Sequence, residues 1–247
     1  MKRLLLFGGT TEGRELAAAA AAMGYDVTVS VATDYGAGCV PDAPGVTVHT
    51  GRLDAAEMAA WMAGFDVVAD ATHPYAVAVS ANVRAAAAAA GRPYLRLVRP
   101  ESDHPGCTYA DSVAGAVALV PPGNVLAATG SKEIAAYTAI PGYRQRVYAR
   151  VLPVESSVAA CRAAGLPEDH ILAARGPFSL ADNLETMERY AIRSLVTKDG
   201  GAAGGFPEKL EAARRLGVQV LLIRRPAETG LTMAELRTRL EALVWSE

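Results

Sequence analysis

Apolar runs of strand length alternate with helical patterns along the whole of this 247-residue chain. This alternation is typical of a doubly wound α/β protein, in which helices join parallel strands and cover both faces of the sheet. We therefore predict parallel sheets built from strands in residues 2–7, 25–31, 46–49, 65–70, 94–98, 124–128, 146–151, 170–173, 194–197 and 218–223. Helical patterns fill the intervals, and a last one covers residues 232–244.

The alternation is interrupted once, by a polar segment that carries two prolines, residues 99–106. Such composition is typical of a domain boundary. The chain is long enough for each half to bury a core of its own. We predict two Rossmann-like lobes, an N-terminal lobe over residues 1–100 and a C-terminal lobe over residues 107–247, with a ligand cleft between them.

Charge and cysteine usage exclude several classes of protein. The formal net charge of −2 gives no basic field that would attract nucleic acid or an anionic membrane. Cys39, Cys107 and Cys161 are scattered and odd in number, so the sequence predicts neither a disulfide framework nor a metal site. No run resembles a signal peptide or a membrane span. We expect a cytoplasmic protein, with a monomer as the expected assembly.

The first predicted strand ends at two glycines, and a helical pattern begins within a turn of them. Glycine permits a positive φ and a close approach of the backbone to a ligand. The start of the helix would direct N–H groups and a positive dipole end at an anion above the turn. The sequence thus predicts a cofactor-binding turn made by Gly8, Gly9, Thr10, Thr11, Glu12 and Arg14.

This turn departs from both familiar phosphate-binding patterns. A G-x-G-x-x-G fingerprint would need glycine at the position of Thr10, although Gly13 fits its last place. A Walker loop would need lysine where Arg14 stands. A strand-to-helix turn without a ligand remains the alternative interpretation.

Three further loops at predicted strand ends carry unusual chemistry, because ligands of open α/β sheets bind beyond the carboxyl ends of the strands. They cover residues 70–75, 129–133 and 197–206, the last with four glycines between positions 200 and 205. The candidate ligand-binding residues in and near them are His73, Tyr75, Ser80, Gly130, Ser131, Lys132, Arg150, Lys198 and Gly201.

Each of these residues also has a structural interpretation. His73 precedes Pro74 and can simply brace a turn, Lys132 and Lys198 can be solvated charges, and the glycines can confer plain flexibility. Taken together they favour a large polyanionic ligand and a nucleotide. No Ser-His-Asp set or metal-spaced cluster favours hydrolysis or metal catalysis. Composition and spacing therefore predict a two-lobed binder of anions and leave the reaction open.

Several blocks, in this order along nearly the whole chain, resemble one known family. The more specific ones are Asp70-Ala71-Thr72-His73-Pro74-Tyr75-Ala76 and Thr129-Gly130-Ser131-Lys132-Glu133. The others are residues 5–14, 50–53, 80–82, 94–96, 150–153, 176–178, 197–201 and 209–213. The chain resembles the precorrin-6A reductases of cobalamin biosynthesis, including the cobalt-precorrin-6A reductases.

The resemblance implies an oxidoreductase that transfers a hydride from NADH or NADPH to a double bond of the (cobalt-)precorrin-6A ring, giving (cobalt-)precorrin-6B. The ring carries many carboxylates, which explains hydroxyls, helix starts and cations around a binding site. The nicotinamide supplies the hydride, while the protein supplies placement and electrostatics.

On this resemblance we assign residue roles as hypotheses. His73 and Lys198 are the catalytic candidates that orient or protonate the ring. The opening turn holds the cofactor. The substrate-binding candidates are Tyr75, Ser80, Gly130, Ser131, Lys132, Arg150 and Gly201. The chain departs from the family at Gly200, where many members have serine, which puts a hydroxyl contact there in doubt. The block at residues 50–53 favours the cobalt-containing branch.

Two alternatives belong to other classes. A short-chain reductase would need Tyr-x-x-x-Lys, and no tyrosine here is followed by lysine four positions later. A non-catalytic sensor of a nucleotide or a tetrapyrrole would share the same patterns. The choice of cofactor also stays open, because Asp34 would suit the ribose diol of NADH, whereas Thr33 and Arg52 leave room for the extra phosphate of NADPH.

Overall fold

The computed structural model describes residues 1–98, 103–201 and 204–244 of the chain. The chain forms two compact units. The first unit comprises Met1–Ser102 together with Pro226–Glu247, and the second unit comprises Asp103–Arg225. Each unit contains a parallel sheet with connecting helices, and the predicted α/β fold class is confirmed. Of the predicted boundary segment, residues 99–102 lie outside the described residues.

The sheet of the first unit has five parallel strands in the order β3-β2-β1-β4-β5. Their bounds are β1 Arg3–Phe7, β2 Asp26–Val31, β3 Val46–Thr50, β4 Val67–Asp70 and β5 Tyr94–Arg96. The chain builds outward from β1 to β3 and then crosses to β4 on the other side of β1. The strand order therefore reverses between β1 and β4, where open α/β sheets bind their ligands.

The strands of this sheet are buried on both faces. In β1 the alternating side chains of Leu4 and Leu6 join the core cluster of one face, and those of Leu5 and Phe7 join the cluster of the other. The helices between the strands are α1 Thr11–Ala22, α2 Asp34–Ala37, α3 Ala55–Met62 and α4 Val77–Ala89. Burial on both faces explains why β1 reads as a continuous apolar run.

The end of the chain belongs to the first unit, which corrects the predicted domain limits of 1–100 and 107–247. The last helix, α10 (Met233–Val244), packs Leu236 and Leu240 into the same core cluster as α1. The hydroxyl of Tyr25 donates to the carbonyl of Leu240 at 2.8 Å. Helical periodicity predicts that α10 has an apolar face, but it carries no information on which sheet covers that face.

The sheet of the second unit has six parallel strands in the order β6-β11-β10-β7-β8-β9. Their bounds are β6 Thr108–Ala110, β7 Asn124–Ala128, β8 Val147–Val151, β9 Ile171–Ala173, β10 Ile192–Lys198 and β11 Gln219–Ile223. The chain builds from β7 out to β9 and returns to β10 on the other side of β7. This sheet therefore has its own reversal point, between β7 and β10.

Helices α8 and α9 cover one face of this second sheet, where Met187, Phe206 and Ala213 pack against Leu126 and Leu195. The helices of the unit are α5 Val113–Ala118, α6 Tyr143–Arg146, α7 Glu155–Ala163, α8 Leu180–Arg189 and α9 Phe206–Leu216, with 3₁₀ helices at Ser131–Ala139 and Glu168–His170. Of the helices in the described segments of both units, none is long and apolar enough to cross a membrane.

Two elements differ from the sequence prediction. Strand β6 was not predicted, because three residues are too few to show a period of two. The helix after β7 is a 3₁₀ helix that starts at Ser131, and its N-cap residue is Gly130. Glycine has no side chain that could accept from the first N–H groups, whereas Thr10 caps α1 with its hydroxyl.

We expect Leu240→Ala to destabilise the first unit, because it removes a fully buried side chain of α10. The free energy of unfolding should fall by about 2–5 kcal/mol, the usual cost of such a core truncation. Urea unfolding measures this loss, and amide exchange should accelerate in β1 and β2. Arg237→Ala, on the exposed side of the same helix, is the matched control. Faster exchange confined to β7 and β10 would contradict the assignment of α10 to the first unit.

Candidate functional site

The turn between β1 and α1 is closely packed at two of its glycines. The N–H of Gly8 donates to the carbonyl of Ser30 at 3.0 Å, and a Cβ on Gly8 would lie 3.0 Å from a methyl of Val29. A Cβ on Gly13 would lie 3.3 Å from that of Ala71. These glycines therefore let the first turn of α1 lie close against the ends of the neighbouring strands.

The third glycine of the turn is open. Gly9 has a φ of +123°, and a Cβ built there would meet nothing within 4 Å. Its backbone is exposed just before α1 begins, where N–H groups and the helix dipole favour an anion. Beside it, Nη2 of Arg14 donates to the hydroxyl of Thr11 at 2.9 Å. Glu12 shares this first helical turn and is partly exposed.

The hydroxyl of Thr10 holds the turn in place and is committed to the protein. It accepts from the N–H of Gly13 at 3.0 Å and donates to the carbonyl of Ala71 at 3.0 Å. Thr10 is itself buried. The first contact caps α1, and the second ties the turn to the loop after β4. Thr10 thus shapes the predicted cofactor turn with its side chain.

Asp70, at the end of β4, is fully buried and fully hydrogen-bonded. Its Oδ1 accepts from the N–H of Thr72 at 2.9 Å, from the Thr72 hydroxyl at 2.7 Å and from Nη1 of Arg96 at 2.8 Å. Its Oδ2 accepts from the hydroxyl of Tyr94 at 2.8 Å. Burial raises the pKa of Tyr94, and the Asp70 carboxylate raises it further. The tyrosine therefore stays a proton donor to Asp70.

Arg96 extends this network to the C-terminal segment of the first unit, which begins at Pro226. Its Nη2 donates to both carboxylate oxygens of Glu228, at 2.8 and 3.0 Å. Its Nη1 also donates to the carbonyl of Thr72 at 3.0 Å. The hydroxyls of Thr72 and Ser80 lie 3.0 Å apart, and Ser80 is buried. The predicted substrate residue Ser80 therefore lies behind the loop, where it braces Thr72.

His73 and Tyr75 are the polar side chains of this loop that reach its outer side. Their rings stack with centroids 5.4 Å apart, and Nδ1 of His73 accepts from the N–H of Tyr75 at 3.4 Å. His73 is exposed and Tyr75 partly so. Phe7 and Asp70 are register partners in β1 and β4, so the Gly8–Arg14 turn and the His73–Tyr75 loop lie side by side at the reversal point of the first sheet.

In the second unit two predicted loops also meet at the reversal point of the sheet. Lys198, at the end of β10, forms an ion pair with Glu133 in the 3₁₀ helix after β7. The hydroxyl of Ser131 donates to that of Ser157 at 3.1 Å, whereas Lys132 is exposed. Gly130 has a φ of +87° and open space where a Cβ would be. The Gly130–Lys132 segment therefore lies at the same reversal point as Lys198.

The glycine-rich loop is held by Asp199, which is buried. Its carboxylate accepts from the N–H of Gly201 at 2.8 Å and from Nη2 of Arg225. Nε2 of His104 lies 3.4 Å from the same carboxylate. The carbonyl of Gly201 accepts from the N–H groups of Gly204 and Phe206 at 3.1 and 3.3 Å. The backbone of Gly201, a predicted substrate residue, therefore closes the loop onto α9; residues 202–203 lie outside the described residues.

Arg150, near the end of β8, is buried. Its Nη1 donates to Oδ1 of Asn183 at 2.7 Å, and its guanidinium lies 4.2 Å from the ring centroid of Phe178. Its Nη2 is buried without a hydrogen-bond partner in the described part of the chain. Burial lowers the pKa of Arg150 to about 10, partly offset by the Asp182 carboxylate, so the group is still charged at neutral pH.

A second cation, Lys209 in α9, lies on the same face of the second sheet as Arg150. It was not predicted as a site residue. Its ammonium donates to the hydroxyl of Thr197 at 3.2 Å. Burial first, and then the positive charge of Arg150, lower the pKa of Lys209 to about 8, while the carboxylate of Asp199 acts in the opposite direction. The sequence shows Lys209 only as an ordinary basic residue on an amphipathic helix, and its position in the block at residues 209–213 was the only signal.

The fold and its loops define a class of protein. In each unit polar turns leave neighbouring strands at a reversal point of a parallel sheet, which is the arrangement of α/β proteins that bind nucleotides and other anions. Residues 3–245 match the family model described as precorrin-6x reductase CbiJ/CobK. The chain belongs to this family, and the family predicted from the sequence is confirmed.

Individual relatives cover nearly the whole chain. The cobalt-precorrin-6A reductase of Priestia megaterium is 33% identical over 250 aligned positions, which cover 98% of each chain. The precorrin-6A reductase of Rhodococcus erythropolis is 35% identical and covers 92% of this chain and 90% of its own. Among solved structures, one described as CobK precorrin-6A reductase matches with a TM-score of 0.74 at 30% identity, covering 98% of this chain and 97% of its own.

We expect Thr10→Val to loosen the opening turn, because it removes both hydrogen bonds of the hydroxyl and keeps the side-chain shape. Loss of the helix cap and of the bond to Ala71 should cost about 1–3 kcal/mol of unfolding free energy, measured in urea. Thr10→Ser retains the hydroxyl and should cost less. Equal stability of the valine variant and the wild type would contradict the role given to this hydroxyl.

We expect Lys209 to make the stability of the protein rise with pH. The pKa of Lys209 is lowered to about 8 in the folded state from 10.5, so between these values the unfolded chain binds more protons. The cost of burying the charge is thus fully present below pH 8 and is relieved as the pH rises towards 10.5. Urea unfolding at pH 7 and 9.5 should show this gain in the wild type and not in Lys209→Met. The same gain in both proteins would show that Lys209 is not its source.

Proposed function

We propose that this chain is an oxidoreductase that reduces one carbon–carbon double bond of precorrin-6A, or of its cobalt-containing form, in cobalamin biosynthesis. The product is precorrin-6B or its cobalt counterpart. The match of residues 3–245 to the precorrin-6x reductase family carries this proposal. Reduction of the double bond requires a hydride and a proton. The first unit offers groups that suit a nicotinamide cofactor, and the second unit offers groups that suit the carboxylates of the ring.

A reduced nicotinamide, NADH or NADPH, supplies the hydride when it is bound. Support for its place comes from the first unit, where Gly9 leaves its backbone open beside the start of α1. Gly8 and Gly13 bring that helix start close to the strand ends. A phosphate group bound there would receive N–H groups and the positive end of the α1 dipole. Gly8–Arg14 is thus the proposed cofactor turn.

The ends of β2 and β3 offer groups that would select between the two cofactors. Asp34 is exposed at the first position of α2, directly after β2. The hydroxyl of Thr33 already accepts from the N–H of Gly36 at 3.2 Å. Arg52 is exposed after β3, the register neighbour of β2. Asp34 would accept from the ribose diol of NADH, and Arg52 would pair with the additional phosphate of NADPH.

The second unit supplies cations for the ring carboxylates. Lys132 is exposed, and Lys198 is partly exposed in its pair with Glu133. An ion pair at a partly exposed position contributes little free energy. A ligand carboxylate can therefore replace Glu133 as the partner of Lys198 with little loss of free energy. Lys198 is thus suited to orient the ring. The exposed imidazole of His73 is suited to give the proton, because its Nδ1 accepts from the N–H of Tyr75 and its other ring nitrogen can carry the proton.

The proposed reaction is tested by mixing the protein with precorrin-6A, or its cobalt form, and each reduced nicotinamide in turn. Absorbance of the reduced nicotinamide should fall by one equivalent for each ring reduced. The preferred cofactor identifies whether Asp34 or Arg52 governs selection. A protein that binds the ring and leaves the absorbance unchanged is a sensor, and that result would refute the proposed activity.

We expect Lys198→Ala to raise the KM for the ring about 10–150-fold, which corresponds to the loss of a hydrogen bond to a charged group, roughly 1.5–3 kcal/mol. Lys198→Arg keeps the cation and should restore most of the affinity. His73→Ala should lower kcat about 100-fold or more, the usual contribution of a positioned proton donor. If both alanine variants keep wild-type kcat and KM, the assignment of these two residues is wrong.

A further inference from the structure

Two cations, the buried Arg150 and the partly buried Lys209, lie on the face of the second sheet that α8 and α9 cover. Neither forms an ion pair with a described carboxylate. Arg150 is only 7% exposed, and its Nη2 makes no hydrogen bond within residues 103–201 and 204–244. The ammonium of Lys209 contacts the neutral hydroxyl of Thr197. Among the described residues neither cation is part of an ion pair.

The carboxylates whose charges act on these cations, Asp182 on Arg150 and Asp199 on Lys209, are hydrogen-bonded to other groups. Glu185 lines the same cavity as Arg150. Asp199 is bound by Arg225 and by the N–H of Gly201. Asp182 is exposed and accepts from the N–H and the hydroxyl of Ser179 at the start of α8. Arg150 and Lys209 therefore repel each other, and this repulsion contributes to the lowered pKa of Lys209.

The sheet register brings the two cations towards the same place. Thr197 of β10 is the register partner of Ala128 in β7, and Ala127 is the partner of Ala149 in β8. Ala128 and Arg150 are one residue further along, so Thr197 and Arg150 share a row with one strand between them. Neighbouring strands are about 4.8 Å apart, so these backbones are roughly 10 Å apart. The ammonium of Lys209 contacts the hydroxyl of Thr197, so both cations lie over the same row of the sheet, where one small anion can contact both.

The surroundings restrict Arg150, which lies beside a cavity that is also lined by Asp182 and Glu185. Asn183 is fully buried and fixes Nη1, while Phe178 covers the guanidinium plane. The cavity has a volume of about 230 Å³. An arginine fixed in this way loses little freedom when its remaining N–H groups bind a carboxylate.

Two like charges held close together, one buried and one partly buried, without an ion-pair partner are costly for the folded protein. Such costs are typically retained at functional sites, where a ligand supplies the missing charge. We propose that Arg150 and Lys209 together bind one carboxylate of the ring substrate. This inference rests on the proposed function and gives Lys209 a role in substrate binding.

The test compares the full-length wild type with Lys209→Met and Arg150→Gln. Equilibrium dialysis of precorrin-6A without nicotinamide measures ring affinity, and steady-state kinetics give separate KM values for the ring and the nicotinamide. Each variant should bind the ring about 10–100-fold more weakly, as expected for the loss of a charged hydrogen bond. The KM for the nicotinamide should stay within about twofold. Without ring, the Tm of Lys209→Met should equal or exceed that of the wild type, because an uncompensated charge has been removed.

Arg189→Gln is the matched control, because Arg189 lines the same cavity and is exposed on α8. Unchanged ring affinity in Lys209→Met would overturn the proposal. A lower Tm with unchanged ring affinity would show a structural role, and a change confined to the KM for the nicotinamide would assign the anion to a cofactor phosphate. If the wild type binds the ring and never oxidises the nicotinamide, the proposed function fails, while the dialysis still decides the role of these two cations.

Discussion

The carboxylate of Asp70 is the group on which the loops at the reversal point of the first sheet depend. A buried carboxylate is tolerated only where donors satisfy both oxygens and a cation balances its charge. Thr72, Tyr94 and Arg96 provide these contacts. In doing so they fix the start of the His73–Tyr75 loop, the end of β5 and, through Glu228, the segment that leads to α10. Removal of one member would leave its partners buried and unsatisfied, so the network acts as a unit.

The second unit repeats this device with different residues. Asp199 follows β10 as Asp70 ends β4, and each carboxylate accepts from the N–H two residues further along, at 2.8 and 2.9 Å. Each is paired with an arginine at the end of the next strand outward, Arg225 beyond β11 and Arg96 in β5. The turn that follows the aspartate is thus fixed at its first residues in both units. The loops that carry His73 and Gly201 therefore start from rigid positions, which a precise ligand site requires.

The sequence predicts the parts of this structure that depend on local pattern, and it misses those that depend on long-range pairing. Continuous apolar runs predicted the buried strands, because parallel strands are covered on both faces. The two glycines after the first apolar run also predicted a turn into a helix, and α1 begins there. By contrast, nothing in the spacing of residues shows that the hydroxyl of Thr10 is consumed by Ala71, or that Ser80 lies behind Thr72. Lys209 was missed for the same reason, since its burial depends on how α9 packs over the end of β10.

The basic residues at the reversal points of the two sheets differ in how their charge is balanced. This difference distinguishes the arginines that hold the turns from the cations proposed to bind a ligand. Arg96 and Arg225 are buried in pairs with aspartates, so a ligand could reach them only by breaking pairs that cost several kcal/mol to disrupt. Lys198 is partly exposed beside Glu133, where exchange of one carboxylate for another changes little in free energy. Among the described residues, Arg150 and the partly buried Lys209 form no ion pair, and the carboxylates of Asp182 and Asp199 act on them only through space. If the ring binds as proposed, its carboxylates would therefore gain most at Arg150 and Lys209, next at Lys198, and nothing at the arginines that hold the turns.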